Sequence, residues 1–208
     1  MRRFKIFLVA AAVLLGGHAA SAQAEWTAGL GYASVTFKGA ECSSFLSTHP
    51  MLGFYAGISR EFYFSALAGL TFEPGLYYYY QSTKNDLAAV GQIQSGPKFV
   101  KMHYLSLPLN VKYTVEFTPA IRGAFFTGPV INAGLFGNVF ENDKIFTNTG
   151  LDPMHRLTRV NAQWNLGAAF IIAEAIQLRV SYALGMSRLI PEQEIRSNTF
   201  TVGAGFLF

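Results

Sequence analysis

Apolar side chains recur at every second position over most of the chain. Leu105, Leu107, Leu109, Val111, Tyr113, Val115 and Phe117 alternate with Tyr104, Ser106, Pro108, Asn110, Lys112, Thr114 and Glu116. Val160, Ala162, Trp164, Leu166, Ala168 and Phe170 alternate with Asn161, Gln163, Asn165, Gly167 and Ala169. Residues 176–185 repeat the pattern, setting Leu178, Val180 and Tyr182 against Gln177, Arg179 and Ser181. So do residues 197–208, with Phe200, Val202, Ala204, Phe206 and Phe208 on one side. A period of two marks β-strands with one apolar face and one small or polar face. Turn-forming residues divide the pattern into eight candidate strands at roughly 26–37, 51–59, 64–81, 99–117, 121–139, 157–172, 176–187 and 197–208.

The joints between these strands alternate in length. Arg60-Glu61-Phe62, Thr118-Pro119-Ala120 and Ala173-Glu174-Ala175 are on the scale of hairpin turns, whereas 38–50, 82–98, 140–156 and 188–196 are longer. With an even number of strands, this alternation puts all the longer joints at one end and both termini at the other. That is the layout of a barrel of the bacterial outer membrane. Small and polar residues with few Lys or Glu make a poor surface for water. The apolar face is therefore expected to meet lipid, and the opposite arrangement would be a soluble lipocalin-like carrier. The expected fold is all-β, a single eight-stranded antiparallel up-and-down transmembrane β-barrel spanning residues 23–208.

Composition supports this reading. Charged residues are 13% of the chain and aromatics 15%, against about a quarter charged in typical soluble domains. Residues 1–22 read as a secretory signal peptide, with Arg2, Arg3 and Lys5 before the apolar run Ile6 to Leu15 and overlapping A-x-A sites that also allow a cut after Ala24. Removing those three cations from 16 Lys and Arg leaves 13 against 12 Asp and Glu. The basic character thus belongs mainly to the leader, and nucleic acid is not an expected partner. A lone Cys42 makes no internal disulfide and reads as a small loop residue.

The runs Leu105-Ser106-Leu107-Pro108-Leu109-Asn110-Val111-Lys112-Tyr113, Thr127-Gly128-Pro129 and Leu178-Arg179-Val180-Ser181-Tyr182, with Gly185 beyond, resemble the PorT-like family of outer-membrane β-barrel proteins. Phe72-Glu73-Pro74-Gly75-Leu76-Tyr77 is similar to that family's third strand, with Gly75 where an acidic residue is more usual. The resemblance implies a small barrel, and one family member's link to protein secretion makes an accessory role in secretion or envelope assembly the implied task. The aromatic pair Phe206 and Phe208 is similar to the C-terminal signal read by the barrel-insertion machinery.

No catalytic, cofactor-binding or metal-binding constellation stands out, and no enzyme activity or cofactor is expected. His103 and Ser106 lie three apart on one strand and so face opposite ways, while His49 and His155 fall in separate long joints. A lipid-modifying enzyme is kept as the alternative to a structural or interaction protein. The inward charges Glu73, Lys112, Glu116 and Arg179 are expected to form a salt-bridged plug, since an eight-stranded barrel is just wide enough to be filled by side chains and buried charges must pair. A proton or ion path is the other use of such a set. Tyr78 and Tyr80 should face lipid, and Tyr77 and Tyr79 the mouth of the barrel, as belt and plug or as a stacking platform for sugar or peptide. Lys98, Lys101, Arg156, Arg188 and Arg196 fall near the outer rim and are candidate lipopolysaccharide contacts. The expected partners are outer-membrane lipid, the insertion machinery and an envelope or secretion protein.

Overall fold

The computed structural model describes residues 25–39, 50–64, 67–85, 98–139, 143–144, 158–189 and 194–208. The leader, Cys42, His49, His155 and Arg156 lie outside these residues. The described residues form ten strands: β1 (Trp26–Lys38), β2 (Met51–Arg60), β3 (Phe62–Tyr63), β4 (Leu70–Asn85), β5 (Lys98–Thr118), β6 (Ile121–Val139), β7 (Asp143–Lys144), β8 (Val160–Ile172), β9 (Ile176–Gly185) and β10 (Arg196–Leu207).

Antiparallel pairing runs from β1 through β10, β9, β8, β6, β5 and β4, and returns through β2 to β1. β2 and β3 form one stave interrupted at Glu61, and β7 pairs only with β6, so the sheet is a closed barrel of eight staves. At the seam, Trp26 N–H donates to Phe208 O at 3.0 Å and Phe208 N–H donates to Trp26 O at 2.9 Å. Closure matters because hydrocarbon offers no partner to an unpaired backbone group.

The first short reversal is displaced from its expected place. The chain passes straight through Arg60-Glu61-Phe62, pairs Phe62 with Phe72 and Tyr63 with Thr71, and reverses only beyond Phe64, whose N–H donates to Leu70 O at 3.1 Å. Gly69 supplies the reason, since it sits at φ 81, where side chains of L-residues are disfavoured. The turns at 118–121 and 172–176 lie where expected. In the second, Ala173 (φ 51) and Glu174 (φ 57) both adopt the left-handed region demanded by a tight hairpin turn. The strain, roughly 1–2 kcal/mol per residue, is offset by the flanking β8–β9 ladder.

The two faces divide as the alternation requires. Leu30, Phe125 and Leu166 are 67%, 66% and 64% exposed on the outside, while Asn110 and Lys112 are fully buried inside. Exposed large apolar side chains occur on β1, β2, β5, β6, β8, β9 and β10, seven of the eight staves. Soluble monomers rarely expose contiguous apolar patches above a few hundred Å². A soluble carrier needs the reverse orientation, so that reading fails.

Inside, size varies sharply around the ring. Gly29, Gly31, Gly203 and Gly205 pave the β1–β10 seam, with Gly29 opposite Gly205 and Gly31 opposite Gly203. The Tyr55 ring from β2 lies across this floor. A Cβ added at Gly31 would come 2.7 Å from Tyr55 Cε1, and one added at Gly203 would collide with the Tyr55 hydroxyl. Ala33, Tyr55 and Tyr77 form a buried cluster on this side, joined by Tyr79, and Ala124, Phe126 and Ala169 form a second cluster elsewhere on the inner face.

Candidate functional site

The densest chemistry lies in the lumen. Glu73 points inward from β4, Lys112 from the neighbouring β5 and Arg179 from β9. Around a ring of eight staves, β4 and β9 are diametrically opposed. Arg179 Nη1 donates to Glu73 Oε1 directly across the lumen. Lys112 Nζ lies 4.0 Å from Glu73 Oε2 and donates to Glu61 Oε1 at 2.5 Å. The Arg179 guanidinium lies over the Phe126 ring, 3.8 Å from its centroid. Thr71 Oγ1 donates at 3.4 Å to Glu61 Oε2, with Lys112 O also at 3.4 Å.

Two carboxylates thus meet two cations and the set is neutral. Neutrality is what burial demands, because an isolated ion would bear its full desolvation cost. The structure brings together three of the four charges expected there. Glu116 is a correction: it is exposed near the 118–121 turn, opposite Arg122 in register and beside a register shift. It lies four residues beyond Lys112, about 13 Å along the strand, where the lumen opens. Glu61 takes its place in the plug. The sequence carried no signal for it, because the expected set of Glu73, Glu116, Lys112 and Arg179 was already neutral and Glu61 sat in a stretch that read as a turn.

Beyond the plug the inner wall is lined by amides and hydroxyls. Gln163 Nε2 donates to Ser197 O at 2.7 Å, and Asn132 Nδ2 donates to Asn161 Oδ1 at 3.0 Å and to Gln163 Oε1 at 3.1 Å. Opposite them stand Tyr55, Tyr77 and Tyr79, and the space between is a cavity of about 70 Å³.

On the outer face, Tyr32, Phe54, Tyr80, His103 and Phe136 sit side by side across β1, β2, β4, β5 and β6. His103 stacks on Phe136 with ring centroids 4.0 Å apart, and its Nδ1 lies 2.5 Å from the Tyr78 hydroxyl. Tyr78 and Tyr80 therefore face outward, and Tyr77 and Tyr79 inward. Ser106 is buried in the lumen, on the opposite face from His103. Among the described residues, no group of three or more His, Cys, Asp and Glu is placed to hold a metal ion.

The rim cations are spread around one end. Lys101 and Arg196 are exposed, and Arg188 pairs with Glu194 at 2.9 Å. Lys98 begins β5. The exposed Lys38 lies opposite Arg196 in register, a neighbouring cation that alternation alone did not single out. At the other end, the exposed Phe206 and Phe208 rings stack with centroids 6.5 Å apart.

No curated protein sequence matches the chain significantly. In structure it is similar to Ail, the attachment invasion locus protein of Yersinia pestis, solved in complex with the heparin analogue sucrose octasulfate (TM-score 0.50, 13% identity, 90% of this chain and 100% of that one). It is also similar to the neisserial surface protein A, NspA (TM-score 0.51, 12% identity, 88% and 97%). A third similar barrel is that of the outer membrane enzyme PagL (TM-score 0.49, 13% identity, 88% and 98%). Residues 6–208 match the family described as the outer membrane protein beta-barrel domain. The match covers nearly the whole chain, and with the closed, inside-out barrel it makes this protein a member of that family, resident in the bacterial outer membrane.

Proposed function

We propose that this barrel is a non-enzymatic structural or interaction protein of the PorT-like kind, accessory to secretion or envelope assembly. The observation that carries the reading is the plug. A neutral set of ion pairs crosses the lumen, which favours a role at the barrel's surface and joints over bulk transport. Three of the four plug charges, Glu73, Lys112 and Arg179, come from the very runs that resemble the PorT-like family. On this reading the longer joints contact an envelope or secretion protein, and the exposed cations Lys101 and Arg196 hold lipopolysaccharide head groups. The exposed rings of Phe206 and Phe208 engage the insertion machinery.

Cross-linking in intact cells, followed by purification of the barrel and identification of attached chains, tests the reading. A reproducible envelope or secretion protein is the expected outcome, and recovery of lipid alone under saturating cross-linker would sink it. The Tyr78–His103 pair on the lipid face favours a second reading, a lipid-modifying enzyme. Release of acyl chains from lipopolysaccharide or phospholipid by the purified protein, lost in His103→Gln, would establish that activity and displace the first reading.

A further inference from the structure

The plug makes one end of the lumen blind, and the cavity of about 70 Å³ above it has a chemistry of its own. One water needs only about 10 to 15 Å³, so the space is larger than a single-water site.

The two walls are unlike. On one, Tyr55 and Tyr79 stack with centroids 5.2 Å apart at an interplanar angle of 20°, and Tyr77 meets Tyr55 edge-on at 5.8 Å. These rings are fixed by their packing over the glycine-paved seam. On the other wall, Asn132, Gln163 and Asn165 present amides. Arg179 forms part of the floor, and among the described residues no carboxylate lines the space.

A hydroxyl serves as both donor and acceptor. A sugar ring suits both walls, because its C–H face packs on aromatic rings while its hydroxyl edge meets amides.

We propose that the lumen cavity binds one neutral monosaccharide, with its apolar face on the tyrosines and its hydroxyls on the amide wall. The guanidinium floor and the absence of lining carboxylates disfavour a cationic sugar. This site is independent of any partner at the joints or the rim.

Saturation-transfer NMR on the full barrel in detergent, with glucose and glucosamine as probes, tests the proposal. Transfer to glucose ring protons is expected, with glucosamine weaker by about tenfold. Ala183 lines the cavity, and Ala183→Leu would fill space there and reduce glucose binding by about tenfold or more. Folding of each variant is checked by heat-modifiable gel mobility. Should Ala183→Leu not fold, Tyr79→Leu removes the stacking ring with similar bulk and is read the same way. No transfer to glucose in the folded wild type would mean that the cavity holds water only, and would overturn the proposal. Undiminished transfer in a folded cavity variant would place binding elsewhere and overturn it equally.

Discussion

Arg179 on β9 spans the lumen to reach Glu73 on β4, a residue 106 positions earlier in the chain. This strut ties opposite walls of the barrel together, and the Glu61–Lys112 pair continues it sideways. Glu73 and Lys112 are essentially inaccessible to water, and the Arg179 side chain is 12% exposed. Removing one member of a buried pair strands a charge, at a cost of about 3–5 kcal/mol. Arg179's slight exposure puts its loss at the lower end. Glu73→Gln and Arg179→Met should each lower stability by that amount in urea unfolding, read by gel mobility. The double variant should be markedly less destabilised than the sum of the two, because it strands fewer charges. Additive losses would show that the strut carries no coupling. Glu116→Gln serves as the control and should change stability by less than about 0.5 kcal/mol.

The contrast between Glu61 and Glu116 shows what the sequence made legible. Parity assigns every residue within an unbroken strand to a face, and it placed Glu73, Lys112, Arg179 and the four tyrosines 77–80 correctly. Parity fails at strand ends. Glu116 has the inward parity, but a register shift between Glu116 and Thr118 and the opening of the lumen leave it in water. Glu61 looked like a solvated turn residue because two charged residues, Arg60 and Glu61, follow the β2 alternation. Only pairing of Phe62 with Phe72 reveals that the stave continues. Charge balance could not have recovered it, because Glu116 in its place already neutralised Lys112 and Arg179 on paper. The amide wall was legible as polar positions, but its facing tyrosines depend on how the barrel closes.

A sealed lumen has an electrical consequence. Wild-type protein reconstituted into planar bilayers should show no steady porin-like conductance, since the ion pairs and close-packed side chains leave no continuous aqueous path. Replacing both struts' ends, Glu73→Ser with Arg179→Ser, should open measurable conductance steps by removing bulk and hydrogen bonds together. Steady large conductance in the wild type would contradict the plugged lumen.

The rim cations make a lipid prediction. Lys101 and Arg196 are exposed, whereas Arg188 is engaged with Glu194. An exposed pair of that kind contributes only about 0–1 kcal/mol to folding, so these side chains are available to lipid at little structural cost. Lys101→Ser combined with Arg196→Ser should leave urea unfolding unchanged while reducing the lipopolysaccharide retained by the purified barrel, counted by native mass spectrometry. Equal retention would assign lipid binding to other groups.

The glycine seam makes the sharpest prediction, because neighbouring residues there face opposite media. Leu30 is 67% exposed on the lipid side, and acyl chains rearrange around a larger apolar group, so Leu30→Trp should cost little. At the next position, a Cβ on Gly31 would come 2.7 Å from Tyr55 Cε1 and would also press on the backbone at Val202 and Gly203. Overpacking of this kind typically costs about 1–3 kcal/mol, and backbone leaves less room to yield than a flexible side chain. Gly31→Val should therefore reduce both the folded fraction and the urea midpoint. Tyr55→Leu should restore only part of the loss, because it clears the ring while the β10 backbone stays in place. Leu166→Arg, on the lipid face of β8, reports depth, since a cation near the bilayer midplane costs roughly 2–4 kcal/mol. If Gly31→Val refolds like the wild type while Leu30→Trp does not, the close approach of β1 to β10 beneath Tyr55 is not what holds the seam.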